Sequence, residues 1–312
     1  MITLYGYTDS LHEVPLDQFK AFTGKLWIDI TNLTKEEAVL IKEKYDLHQL
    51  TIEDLRNKRT RIKVEEFTNY LFCVIYTVEQ KRKIQSKEID LVLGKDFIIS
   101  NHQEPIHFIE EIKANPQGLS KLFSKGVEYL FHKIIDETVD HIFPAIAQID
   151  MELEELEKRV NENPNKEVID SIFLTKRKIS VLRRLYLSQR EKIQLLAKTE
   201  YSFISKKSLP YFRDIYDHAT RIMENLESQR EAVTGIYEMY MSALSLKMNE
   251  VMKVLSIIAT IALPLTVISG VYGTNFVVLP GAGSPLGFWI MILFMIILCA
   301  GMLVFFRHKK WI

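Results

Sequence analysis

The sequence predicts an α+β domain, then a long antiparallel helical hairpin, a stalk helix and two transmembrane helices. Three observations predict this order. Short apolar stretches of strand character fill the first 125 or so residues. Apolar residues then recur at steps of three and four. Finally, Val254 to Phe306 contains no Asp, Glu, Lys or Arg. That run is roughly 50 residues long, whereas one helical crossing of the hydrocarbon core takes about 20.

The α+β domain is expected over residues 1–125. Ile2–Tyr7, Leu26–Ile30, Tyr70–Val78, Ile89–Leu93 and Asp96–Ser100 read as strands. Thr34, followed by Glu36 and Glu37, reads as the N-cap of a helix running to about Tyr45. Asp54 sits in a second helical patch. Met1–Tyr7 has no basic segment leading into an apolar core, so this end is expected to stay cytosolic.

The helical hairpin is expected over residues 126–210. One helix runs from Lys125 to Val160 on the stripe Phe131, Ile135, Val139, Ile142, Ile146, Ile149, Leu153 and Leu156. Asn161–Asn165, with Pro164, forms the turn. A second helix returns with Val168, Ile172, Ile179, Leu182, Tyr186, Ile193 and Leu196 on one face. Pro210 opens the last helix, whose stalk is expected over residues 211–253. Its stripe of Val233, Ile236, Tyr240 and Leu244 needs cover from the hairpin or from other subunits.

The membrane domain is expected over residues 254–312, with spans near Val254–Val271 and Phe288–Phe306. The external loop, 274–287, holds Pro280, Gly281, Gly283, Pro285 and Gly287. Lys247 and Lys253 precede the first span, and Arg307, His308, Lys309 and Lys310 follow the second. Basic residues at both outer ends place both termini in the cytoplasm, in a multi-pass protein of the inner or plasma membrane. Trp289 and Trp311 bracket the second span as interfacial anchors.

Composition narrows the function. Lys+Arg and Asp+Glu are equal at 40 each, which leaves no basic footprint for nucleic acid. Cys73 and Cys299 lie far apart in apolar runs and read as small buried hydrophobes. The 8 histidines form no His-Glu-x-x-His spacing, and neither Gly-x-Ser-x-Gly nor a phosphate loop occurs. An enzyme is not expected.

Two spans cannot enclose a pore, so conduction requires several copies around an axis. On the first span Asn249, Met252, Leu255, Ala259, Leu263, Thr266 and Gly270 follow at steps of three and four, on one helix face. Periodicity alone suits a pore lining and a helix–helix packing face equally.

The segment Tyr272-Gly273-Thr274-Asn275-Phe276 resembles the Tyr-Gly-Met-Asn-Phe motif that ends the first span in the CorA family of divalent cation transporters. Asn249–Leu255, Pro264-Leu265-Thr266, Tyr211–His218 and Lys309-Lys310-Trp311 are also similar to family sequence. The resemblance covers essentially the full length and is strongest from Tyr211 onwards. It implies a homopentamer in the lipid bilayer that carries Mg²⁺, with Co²⁺ or Ni²⁺ as further cargo, and needs no cofactor. It further implies that Gly273, Thr274 and Asn275 form the selectivity motif at the external mouth, where five Asn275 amides meet the hydrated ion. By the same resemblance Thr266 supplies a hydroxyl ring, Asn249 an amide ring, and Met252, Leu255 and Leu263 apolar constrictions. Asp214 matches a carboxylate at which cytosolic Mg²⁺ binds between subunits and holds the pore closed; Glu88 and Asp90 are candidates for the carboxylate facing it.

Two departures bear on the ion. Thr274 replaces the motif's Met, and Leu279-Pro280-Gly281 stands where the family commonly has Met-Pro-Glu. A Zn²⁺ transporter of the same fold is therefore an alternative. A non-conducting, membrane-anchored scaffold or sensor is another.

Overall fold

In the computed structural model, which describes residues 1–57, 59–80, 84–276, 279–281 and 283–311, local capping chemistry and apolar alternation set the first elements. Strand β1 (Ile2–Tyr7), β2 (Leu11–Glu13) and β3 (Lys25–Thr31) lead into α1 (Lys35–Tyr45) and α2 (Gln49–Arg56). Thr34 caps α1 in a reciprocal box: the Glu37 N–H donates to Thr34 Oγ1, and the Thr34 N–H donates to the Glu37 carboxylate. Strands β4 (Lys63–Glu66), β5 (Leu71–Gln80), β6 (Ile84–Leu93) and β7 (Phe97–His102) follow. The seven strands form one sheet in the order β2-β1-β3-β7-β6-β5-β4. Only the central β3–β7 pair is parallel.

Alternate residues of β3 face opposite sides of the sheet, and both sides are covered. Leu26, Ile28 and Ile30 join Phe72, Val74, Val92 and Ile99 in a core closed by Ala38, Ile41, Ile52 and Leu55 of α1 and α2. Helices α3 (His107–Lys113), α4 (Pro116–Lys125) and α5 (Val127–Asp140) come next, α5 lying on the sheet through Leu130, Phe131, Ile134 and Ile135. Gly126, between α4 and α5, has φ +151°, a conformation that strains any side-chain-bearing residue.

The helix expected over Lys125–Val160 is two helices. After α5, α6 (Phe143–Glu162) begins anew, because Pro144 has no N–H to give and its ring would clash with the Asp140 carbonyl. Helix α7 (Lys166–Lys198) returns antiparallel: Lys178 Nζ bridges Glu152 at 2.7 Å, and Thr175 Oγ1 donates to the same carboxylate. The buried Gln189 of α7 accepts the Tyr76 N–H at 3.0 Å, closing the stretch of β5 that β4 is too short to pair.

Helix α8 (Leu209–Tyr272) starts at the predicted proline, and its first half lies on α5–α7. Arg183 pairs with Glu227 at 2.7 Å, and Gln229 Nε2 donates to the Ile146 carbonyl and to Asp150. Val233 and Ile236 are buried, so the upper stalk stripe is covered within the chain. Helix α9 (Pro285–His308) begins three residues earlier than expected, with Ser284 as its N-cap. The chain divides into two compact units, residues 1–159 with 166–236, and residues 160–165 with 237–312.

On the other sheet face, buried Asp29 accepts from Ser100 Oγ at 2.5 Å, faces His102 Nε2 at 3.2 Å and pairs with Lys113 of α3 at 2.5 Å. Burial alone would raise the Asp29 pKa, but the His102 hydrogen bond, its charge and the Lys113 ammonium outweigh it. A depressed folded pKa gives stability that is present above the unfolded value and lost as pH falls through the folded one. The thermal unfolding midpoint should therefore drop as pH is lowered below about 4, the ordinary aspartate value. Asp29→Asn should lower the midpoint at neutral pH, through a stability loss of roughly 3–5 kcal/mol for a broken buried pair, and show a shallower acid limb. Identical acid limbs in parent and variant would remove Asp29 from the linkage.

Candidate functional site

The charge-free segment forms two helices joined outside. In the unit that contains them, Lys253, Ile261, Pro264 and Ile268 of α8 are partly covered and Ile257 is buried. These residues share one side of the helix. Phe306 is the buried residue of α9, and Lys253 Nζ donates to the Lys310 carbonyl just beyond α9 at 3.2 Å. The sequence-predicted stripe lies on roughly the opposite side of α8. Asn249, Met252, Leu255, Ala259, Leu263, Thr266 and Gly270 are all exposed in the single chain. Thr266 Oγ1 donates back to the Leu263 carbonyl at 2.8 Å, so its lone pairs rather than its proton are available on that face.

At its outer end α8 stops as the motif begins. The Gly273 N–H closes the last turn on the Ser269 carbonyl, and Thr274 Oγ1 donates to the Val271 carbonyl at 2.7 Å. The Thr274 hydroxyl proton is thus spent on capping. Asn275 is exposed, and among the described residues its amide has no hydrogen-bond partner. The loop then folds back: Tyr272 Oη donates to the Pro280 carbonyl at 3.0 Å, and the Ser284 N–H to the Gly281 carbonyl. A Cβ on Gly287 would sit 2.0 Å from the Gly281 carbonyl oxygen, so this approach requires glycine. Val277, Val278 and Ala282 of the expected loop lie outside the described residues.

At the inner end α9 stops at His308, Lys310 takes φ +56°, and Trp311 turns back to stack on Phe306 at 5.8 Å. Trp311 therefore does not continue the helix.

The other unit holds a cluster that sequence reasoning missed. Ligand atoms of Asp136, Asp140 and His218 lie within 4.8 Å of one another. Asp136 and Asp140 are one turn apart on α5, and His218 Nδ1 on α8 meets Asp140 Oδ1 at 2.9 Å. Burial and the charge of Asp140 raise the Asp136 pKa, although His132 opposes them. Burial lowers the pKa of His132, whose Nε2 lies 3.2 Å from the Tyr211 carbonyl. Asp214 is exposed one turn before His218 and, among the described residues, forms no ion pair. The Asp136/Asp140 spacing was legible; its meeting with His218, 78 residues on, required the fold.

Glu88 and Asp90, the candidates for the facing carboxylate, are both buried within the single chain. Asp90 is 2% exposed inside the sheet–α2 packing, and both Glu88 oxygens are taken by the Thr60 N–H and Tyr76 hydroxyl.

The cluster offers two carboxylates and an imidazole. Hard carboxylate oxygens suit Mg²⁺, and an added imidazole suits Co²⁺, Ni²⁺ or Zn²⁺ better. The exposed α8 face offers amide and hydroxyl oxygens and the Met252 thioether among apolar groups.

Residues 23–308 match the family model described as CorA-like Mg²⁺ transporter protein. The chain is 35% identical over 303 residues to the cobalt/magnesium transport protein CorA of Thermotoga maritima, covering 94% of this chain and 85% of that one. Its fold is similar to the complete CorA magnesium transporter of Methanocaldococcus jannaschii, with a TM-score of 0.86 at 20% identity over 100% and 99% of the two chains. It is also similar to the cytoplasmic domain of ZntB from Vibrio parahaemolyticus, with a TM-score of 0.66 at 15% identity over 78% of this chain and 97% of that one. With two charge-free spans, a motif-bearing external turn and this match over most of its length, the chain belongs to the CorA-like Mg²⁺ transporter family.

Proposed function

We propose that five copies of this chain assemble in the membrane around α8 and pass hydrated Mg²⁺, with Co²⁺ as a second cargo. The observation that carries this reading is the uncovered α8 face, Asn249 to Gly270, turned away from the covered side of the helix and ending at Gly273 and Asn275. It is a transporter and not an enzyme; its chemistry is the exchange of hydration contacts. Mg²⁺ gives up water reluctantly, so neutral amide and hydroxyl oxygens that bind its water shell suit passage better than carboxylates that would hold the ion. Five Asn275 amides at the mouth, then Thr266, then Asn249, supply such oxygens. Met252, Leu255 and Leu263 supply constrictions that close by dewetting. Zinc selectivity would call for imidazole or thiolate ligands, which that face lacks.

Cytosolic metal is read, in the same proposal, by Asp136, Asp140 and His218, with Asp214 reaching from the next turn of α8 towards a neighbouring subunit. Mg²⁺ there neutralises carboxylates that otherwise repel, and favours the closed assembly.

Three measurements test this. Asn275→Ala should abolish or greatly reduce Mg²⁺ uptake into proteoliposomes with oligomer size unchanged, since an exposed amide contributes little to packing. Uptake at the parent rate by correctly assembled Asn275→Ala would refute the mouth assignment. A cysteine at Gly283, where a Cβ meets open space, should react with an impermeant thiol reagent from outside only; labelling from the cytoplasmic side would reverse the topology. Co²⁺ should protect the N-terminal unit from proteolysis at lower concentration than Mg²⁺. His218→Ala should weaken Co²⁺ protection by about tenfold or more, at least the loss that follows removal of a residue merely supporting a ligand, and Mg²⁺ protection less. Unchanged protection by both metals in His218→Ala and Asp140→Ala would dismiss the cluster.

A further inference from the structure

The turn between α6 and α7 is fastened to α8. Helix α6 ends at Glu162 and α7 begins at Lys166, and Pro164 between them has no N–H with which to continue a helix. Residues 160–165 belong with residues 237–312 in one compact unit, so the turn and the lower half of α8 form one body. Val160 and Tyr240 are both buried. Side-chain hydrogen bonds join the two parts. Tyr240 Oη donates to the Asn165 carbonyl at 3.3 Å, and Lys247 Nζ donates to Asn163 Oδ1 at 3.3 Å. Tyr240 and Lys247 lie about two helical turns apart and so share one side of α8. Asn249, two residues beyond Lys247, lies on the opposite side, at the head of the uncovered stripe.

Past the turn, α8 runs bare. Every residue from Ser245 to Met252 is exposed. The next hold is Lys253, whose Nζ donates to the Lys310 carbonyl at 3.2 Å. Among the described residues, the stretch carrying Asn249 and Met252 is therefore held from its ends, by the α6–α7 turn before it and by the end of α9 after it. Its backbone bonds are internal to the helix, so on losing one hold it shifts or rolls as a rod. The hold is also weak. An O–H donor ordinarily sits at about 2.5–3.0 Å from its acceptor and an N–H donor at about 2.7–3.2 Å, and both contacts are longer than that. Such contacts suit a hold that is made and broken in normal working.

In the held conformation Met252 and Leu255 lie on the uncovered face that the proposed path uses. Apolar side chains close a narrow passage by dewetting, so the held conformation is the closed one. We propose that the α6–α7 turn is a latch on the cytosolic end of the path, with Tyr240 and Lys247 as its positioning residues on α8. Engaged, it keeps Met252 towards the axis. Released, it lets Ser245–Met252 roll, which carries Met252 aside and admits water next to Asn249. The inference rests on the path proposed above and names an element outside the membrane that gates it.

The test is Mg²⁺ uptake into proteoliposomes by full-length variants whose oligomer size matches the parent. Tyr240→Phe keeps the buried ring and removes the donated hydrogen. Uptake should rise by about twofold to tenfold, the equilibrium factor of one neutral hydrogen bond. Asn163→Asp turns the second contact into an ion pair with Lys247 and should lower uptake by about twofold, the factor of an exposed pair. That sign separates a latch from simple attraction, because carboxylates added near the inner mouth would otherwise raise cation flux. In a Lys247→Met background the lowering by Asn163→Asp should disappear. A parent that takes up no Mg²⁺ overturns the path, and the latch with it. A conducting parent matched in rate by Tyr240→Phe or by Asn163→Asp overturns the latch alone, as do two variants that move uptake in the same direction. Asn163→Asp changes an exposed side chain in a turn, so it decides the matter even where Tyr240→Phe fails to assemble.

Discussion

Two membrane helices in one chain have no lumen between them, and the rest of the molecule is arranged around that constraint. The side of α8 bearing Lys253 and Ile257 is the covered one in its unit, which leaves the Asn249–Gly270 side uncovered. In lipid, that face cannot be driven together by the hydrophobic effect, since acyl chains are as apolar as leucine. Close approach must come from small residues such as Ala259 and Gly270, and from assembly forces outside the bilayer. The N-terminal unit supplies a folded body for such assembly, and in it the first half of α8 is already secured by Arg183–Glu227 and by Gln229 against α6.

How much of this was legible in the sequence depends on the range of the interaction. The Thr34 cap, the Pro164 turn and the Pro210 helix start are local, and each was readable within a few residues. The interruption at His141–Ile142 was not read, because Pro144 sits inside an unbroken apolar period and periodicity outvoted the proline. Edge strands β2 and β4 escaped because three or four residues carry too little alternation to register. The metal cluster escaped for a different reason. Asp136 and Asp140 look like a solvated helix face until α8 brings His218 beside them. The burial of Glu88 and Asp90 was equally hidden: alternation places them beside Ile89 and Leu91, but which face carries α2 is a tertiary fact.

The ligand chemistry separates the proposed path from the proposed sensor. A path must release what it binds, so its groups are neutral dipoles that leave the water shell in place. A sensor must hold its ion against micromolar to millimolar competition, so it concentrates carboxylates and tolerates an imidazole. Fold similarity to a ZntB domain does not bear on the ion, because at 15% identity it reports architecture alone. The side chains on the two surfaces bear on it directly, and on the proposed path the charged and imidazole ligands are missing while amide and hydroxyl oxygens are present.

The external turn completes this logic. Thr274 spends its hydroxyl on the Val271 carbonyl, and Tyr272 spends its own on Pro280. As at Thr266, the proton is used and the oxygen lone pairs are what each hydroxyl keeps as acceptors. Gly273 has no side chain, and Gly281 and Gly287 touch backbone to backbone. Among the described residues of the motif, Asn275 is the polar side chain with no hydrogen bond of its own, and its amide is left exposed. A carboxylate there would bind a divalent ion more strongly, but in a ring of copies it would also trap the ion at the entrance. An amide held at the end of a rigid helix accepts a weaker interaction in return for release. In the proposed pathway, that weakness is what allows the next hydrated ion to follow.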